Sequence, residues 1–162
     1  MKNALRFIQV FALGAWLGAD FYFGAAVAPG AFRVLPNQDN AGRLVEFTLE
    51  RLHLMGVVAA VLFLLASFLL ALSSKNAEKG MLLPAIGVAL MLALTLVSQD
   101  VVVRRMTELR QQMVSVVAAP PGNPLRVEFD RLHGVSVDLE GAILLIGFVS
   151  LFLTVRSIFR RE

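Results

Sequence analysis

The sequence contains no cysteine, which excludes disulfides, thiolate metal ligands and thioether-linked haem and leaves the redox compartment unread. Histidine is nearly absent, with His53 and His133 the only two, and there is one tryptophan and one tyrosine. Charge is also scarce. Only 17% of the residues are charged, against about a quarter in soluble domains. The net charge of +3 is dispersed, with no basic run and no aromatic RNA-reading motif, so nucleic acid is not an expected partner. Neither G-x-S-x-G, nor H-E-x-x-H, nor a phosphate-cradling glycine loop occurs, and the chain is not expected to be an enzyme.

What fills the sequence is apolar residues, 57% of the total, gathered in blocks. Residues 54–72 form an uncharged run long enough to cross a hydrocarbon core, and residues 81–98 nearly match it. Two more runs are interrupted by acids: 7–29 by Asp20, and 134–155 by Asp138 and Glu140. The expectation is an all-α integral membrane four-helix bundle, a single transmembrane domain over residues 1–162. Its spans fall at about 7–29, 52–72, 81–103 and 134–156, with amphipathic extensions at about 40–51, 104–117 and 124–133. The bilayer is therefore a partner. Lys2 and Arg6 precede the first apolar run as in a secretory signal, but that run is too long and lacks a clear small-x-small cleavage site, so it reads as a retained helix.

Local signals set the helix ends. Helix 1 is expected to stop at Pro29-Gly30, and Asp39 or Asn40 to cap helix 2. "SSKNAEKG" reads as a tight polar turn, "AAPPGNP" as a terminator, and Asn123-Pro124 as the start of helix 4. Gly14 and Gly18 form a G-x-x-x-G pattern, which permits close helix approach and a homo-oligomer contact. Lys2, Arg6, Lys75, Lys79, Arg156, Arg160 and Arg161 lie near the span ends at the termini and short turn. Their density favours cytoplasmic N- and C-termini, in a bacterial inner membrane.

The chain also repeats. Sliding it by 80 residues places Arg51-Leu52-His53 on Arg131-Leu132-His133 and Asp20 on Asp100, each aspartate 33 residues before its histidine. Ionised side chains inside spans are costly and face the bundle interior. The alignment therefore points to two helical hairpins related by a pseudo-two-fold axis along the membrane normal. Asp20, His53, Asp100, His133 and Glu140 are expected to cluster at one end of the bundle. That set suits a cation or a transition metal such as copper. It also suits a b-type haem held by the two imidazoles, with Arg51 and Arg131 on its propionates. The competing expectation is structural: each histidine bonds a carboxylate and fixes how the hairpins dock, and Asp100 pairs with Arg104 one turn on. Two further classes stay open, a non-catalytic assembly protein and a proton-coupled small-solute transporter acting as an oligomer.

Three stretches carry a family resemblance: "WLGADFYFGAAVAPGAFRVLP" at residues 16–36, the approach from Phe47 to His53, and "FDRLHGVSVDLEG" through Phe129, Arg131, His133, Gly134 and Ser136. They resemble the transmembrane protein 205-like family, four-span proteins whose domain has no assigned function. The resemblance implies a four-helix membrane fold and no particular activity. This chain departs from the family's pattern at Glu140, where the family has asparagine, which puts any shared ligand at that position in doubt. A more distant likeness to copper-resistance D-type membrane proteins, with histidines at helix ends, adds weight to the metal expectation.

Overall fold

The computed structural model describes residues 2–73, 79–113 and 115–159, with the backbone alone at 79–80. Most of the expected polar turn, and Lys75, Arg160 and Arg161 used to orient the chain, lie outside the described residues, as does the Lys79 side chain. The described chain is helical throughout, joined by short turns and linkers. α1 spans Lys2–Val34, α2 spans Gln38–Leu72, α3 covers residues 79–112 and α4 spans Pro124–Phe159. All four are long and apolar enough to cross a membrane. At about 1.5 Å per residue, helices of this length reach roughly 50 Å, whereas the hydrocarbon core is about 30 Å thick. Each helix therefore continues past its apolar run, and 40–51 and 124–133 are unbroken beginnings of α2 and α4 rather than separate pieces.

Two helices contain π-helical turns, Phe23–Val27 in α1 and Ser98–Val103 in α3. The first explains why α1 does not stop at Pro29-Gly30 as expected. After the π turn a fresh α segment, Ala28–Val34, begins with Pro29 at its entry, where a missing N–H costs nothing. The helix ends instead at Leu35, extended at φ −81°, ψ 129°, the conformation that the following Pro36 favours. The cap of α2 is neither Asp39 nor Asn40. Asn37 accepts the Asn40 N–H at 3.1 Å, and Asp39 is free to bind elsewhere. α4 starts at Pro124 as expected, with Asn123 Oδ1 accepting from Leu125 N at 2.9 Å. α3 continues beyond Val103 as an amphipathic helix but stops at Gln112, before "AAPPGNP", because Met113 turns extended.

α1 packs chiefly on α2 and α3 on α4, and contacts of α2 with α3 and α1 with α4 close the ring. This is the two-hairpin arrangement that the repeat suggested. Between helices in lipid, packing rather than water exclusion holds the bundle, so small residues matter at crossings. Gly56 lies under the Trp16 ring, Gly87 against Ser150, and Gly147 against Leu17 and Met91. Gly14 and Gly18 meet nothing within 4 Å, so the G-x-x-x-G pair is not a crossing inside the bundle. On the terminal side, Leu13, Trp16, Ala60, Phe63, Val88, Met91 and Ile143 fill the interior. Phe7, Phe11, Val58, Leu62, Leu65, Phe68, Leu145 and Phe152 point outward. An apolar exterior of that extent suits lipid and not water. On the opposite side Leu109, Met113 and Phe129 make a second, smaller core where the helices project past the apolar runs.

Candidate functional site

Between those two cores the four helices each contribute polar side chains to one layer. His53, from α2, is 4% exposed, and both ring nitrogens are engaged. Nδ1 lies 2.8 Å from Gln99 Oε1 of α3, and Nε2 lies 2.7 Å from Glu140 Oε1 of α4. Ser98 of α3 donates to the same Glu140 oxygen at 3.2 Å. Ser98 and Gln99 both reach the layer because they open the π turn, and such turns redirect side chains where a regular helix would not. With a carbonyl oxygen facing Nδ1, the ring donates there. The proton between Nε2 and Glu140 then has two resting places, imidazolium with carboxylate or imidazole with carboxylic acid.

Asp20, from α1, completes the layer. It is 2% exposed and lines the same cleft as Glu140, yet its Oδ2 has no hydrogen-bond partner. A buried, unpartnered carboxylate oxygen is costly, and in a native fold it calls for an explanation. The cleft measures about 610 Å³ and lies between the layer and the projecting lobe. That volume lies within the range of small-molecule sites, about 300–1,000 Å³. Phe23, Leu49, Val103, Met106, Phe129 and Leu144 give the cleft an apolar wall.

Of the expected set, the structure brings Asp20, His53 and Glu140 together and leaves the others apart. His133 is exposed on the cleft wall, on the Glu140 face of α4 two turns nearer the lobe, without a hydrogen bond or ion pair to the described residues. Asp100 is exposed as well, and Arg104 pairs with Glu108 at 3.7 Å rather than with Asp100. Arg51 is exposed with its guanidinium over the Phe47 ring, and Arg131 is exposed. The repeat therefore holds for the helices and fails for the site. Gln99 stands where Asp100 was expected, Glu140 is in the layer as expected, and His133 lies outside it. Among the described residues, no group of three or more His, Asp or Glu side chains is placed to hold a metal ion. His53 has no ring nitrogen left for a haem iron, and the two arginines do not flank it.

Ser98 and Gln99 escaped sequence reasoning. Their one signal was a polar pair inside an otherwise apolar span, overshadowed by the ionisable neighbour Asp100. Gln9 was missed in the same way. It is fully buried in α1 and donates to Ser67 Oγ of α2 at 2.7 Å, on the terminal side of the layer.

A family model described as a domain of unknown function, DUF4149, matches residues 11–115, more than half of the chain. The chain belongs to the DUF4149 family. The matched stretch of this DUF4149 protein holds Asp20, His53, Ser98 and Gln99 and ends before Glu140. A search of curated proteins and of solved structures gives no match. The family thus brings no activity with it, and the chemistry rests on the polar layer.

Proposed function

We propose that this protein is a non-catalytic membrane protein that binds a cation at the Asp20–His53–Glu140 layer, with binding linked to release of the proton that His53 and Glu140 share. The observation that carries this reading is Asp20, a residue of the cleft wall whose Oδ2 atom is buried and unpartnered. A cation there supplies the missing partner, and its charge disfavours the nearby proton. The packed side chains of Phe63, Val88 and Met91 on the terminal side give a bound cation no continuous path, which favours binding over passage through a single copy. An oligomeric transporter would need that core to open. The likeness to copper-resistance proteins supports a metal less well, because His53 lacks a free nitrogen. The resemblance to the transmembrane protein 205-like family supports the fold alone. The charge pattern at the span ends supports cytoplasmic N- and C-termini.

The test is a titration of weakly buffered protein in detergent with methylammonium chloride, read by a pH indicator. Wild type should release protons saturably, and Glu140→Gln should not. Absence of release from wild type overturns the proton linkage. A second reading, that the layer only locks the two hairpins together, is favoured by the saturation of both His53 nitrogens. It predicts that Glu140→Gln lowers thermal stability while methylammonium releases no proton from either form.

A further inference from the structure

The cleft lining is unequal in charge. It includes the acids Asp20, Asp39, Glu46 and Glu140 but, among the arginines and lysines of the described residues, only Arg110. Two of the four acids are engaged at both oxygens. Asp39 accepts from Ser115 Oγ at 2.5 Å and Val116 N at 3.0 Å. Glu46 accepts from Thr107 and lies 3.0 Å from Arg110 Nε as an ion pair. Glu140 is held by His53 and Ser98 at Oε1 alone. Asp20 also lines the cleft, with its Oδ2 buried and without a hydrogen-bond partner, and the rest of the wall is chiefly apolar. A small inorganic cation would satisfy the oxygen but leave the apolar cavity unfilled. A lipophile without a donor would fill the cavity but leave the oxygen unpaired, at the cost that attends a buried polar atom without a partner, and an alcohol would donate to it without balancing its charge.

We infer that the cleft binds a lipophilic amine, its ammonium on Asp20 Oδ2 and its apolar body along Phe23, Leu49, Val103 and Leu144. This rests on the reading of Asp20 as a cation site and adds the ligand's chemical class. A cleft of about 610 Å³ is of small-molecule size, and charge complementarity selects a free amine over a neutral lipophile. The only tryptophan, Trp16, is one helical turn before Asp20 in α1 and is buried beside Gly56, so its fluorescence reports on the site.

The experiment titrates full-length protein in dodecylmaltoside with octylamine, octanol and octanoate, reading Trp16 emission and the thermal midpoint. Octylamine should shift both saturably, with octanol and octanoate about tenfold weaker or more. Asp20→Asn should weaken octylamine about thirtyfold or more, because one partner of a desolvated charge pair is gone. Gly141→Leu tests the cavity without altering charge or a hydrogen bond. Gly141 lines the cleft with nothing within 4 Å of an added Cβ, and leucine improves helix propensity. This variant should fold and lose octylamine binding, so the inference stays testable even if Asp20→Asn fails to fold. Equal binding of octanol, or unchanged octylamine binding in Gly141→Leu, overturns the inference. Competition by added phosphatidylethanolamine, itself a lipophilic primary amine, would keep the ligand class and overturn only a free amine as the occupant, assigning the cleft to a lipid headgroup. Octylamine binding without proton release would overturn the proton linkage alone. Methylammonium binding as tight as octylamine would overturn the apolar subsite and leave the cation reading standing.

Discussion

His53 and Glu140 join α2 to α4 across the diagonal of the bundle, Nε2 to Oε1 at 2.7 Å, although these two helices are not neighbours in the packed ring. The link is buried, so its removal is felt in stability. Glu140→Ala leaves the imidazole and the Ser98 hydroxyl without their acceptor, and should cost about 3–5 kcal/mol, the usual effect of breaking a buried pair from one side. Glu140→Gln retains a hydrogen-bonding group and should cost about 1 kcal/mol. Unfolding in detergent at fixed pH separates the two, and equal losses would show that the imidazole does not depend on this partner.

Asp20 predicts a change of the opposite sign. Its buried Oδ2 is unpartnered, so an apolar side chain of similar size removes an unmet desolvation cost. Asp20→Leu should stabilise the ligand-free protein by about 1–3 kcal/mol, with a higher thermal midpoint. A loss of stability would mean that the carboxylate serves the fold rather than a ligand.

The glycines divide by what surrounds them. A Cβ on Gly56 would come within 2.6 Å of the Trp16 ring, and in a packed bundle neither side can yield freely. Gly56→Ala should cost about 1–3 kcal/mol and perturb Trp16 emission. Gly18→Ala meets nothing within 4 Å and should be neutral or stabilising by up to about 1 kcal/mol. If Gly18→Ala changes the mass measured by light scattering, the G-x-x-x-G face is a contact between copies.

Asp39 ties the linker after α3 to the start of α2 through Ser115 and Val116. Asp39→Ala should leave the spans intact and speed amide exchange at Val116 by about tenfold, in line with one lost charge-assisted hydrogen bond of about 1.5 kcal/mol. Unchanged exchange would show that the linker is held by the Met113 and Phe129 packing instead.

Much of the architecture is legible in the sequence. Four apolar runs, the continuation of 40–51 into a span, the start at Pro124 and the pairing of hairpins all follow from hydropathy and spacing, because lipid leaves a chain few alternatives to helices. The errors were local and had local causes. Pro29 reads as a stop, yet the π turn ahead of it supplies a new helix start. Asp39 reads as a cap, yet Asn37 takes that place. The polar cluster was legible as composition but not as membership. The aligned aspartates and histidines suggested a symmetric set, and of these only Asp20 and His53 lie in the buried layer.

The sequence by itself determined that the chain fills a bilayer with four helices in two similar hairpins and places acids and imidazoles near one end of its apolar runs. Tertiary structure alone decided which of those groups meet. Sequence periodicity gives a side chain's direction about its own helix axis. The π turn at Ser98–Val103 shifts that direction partway along α3, bringing Gln99 rather than Asp100 to His53. The partner of His53 on α4 was set by the relative height of two non-adjacent helices, which no spacing along the chain encodes.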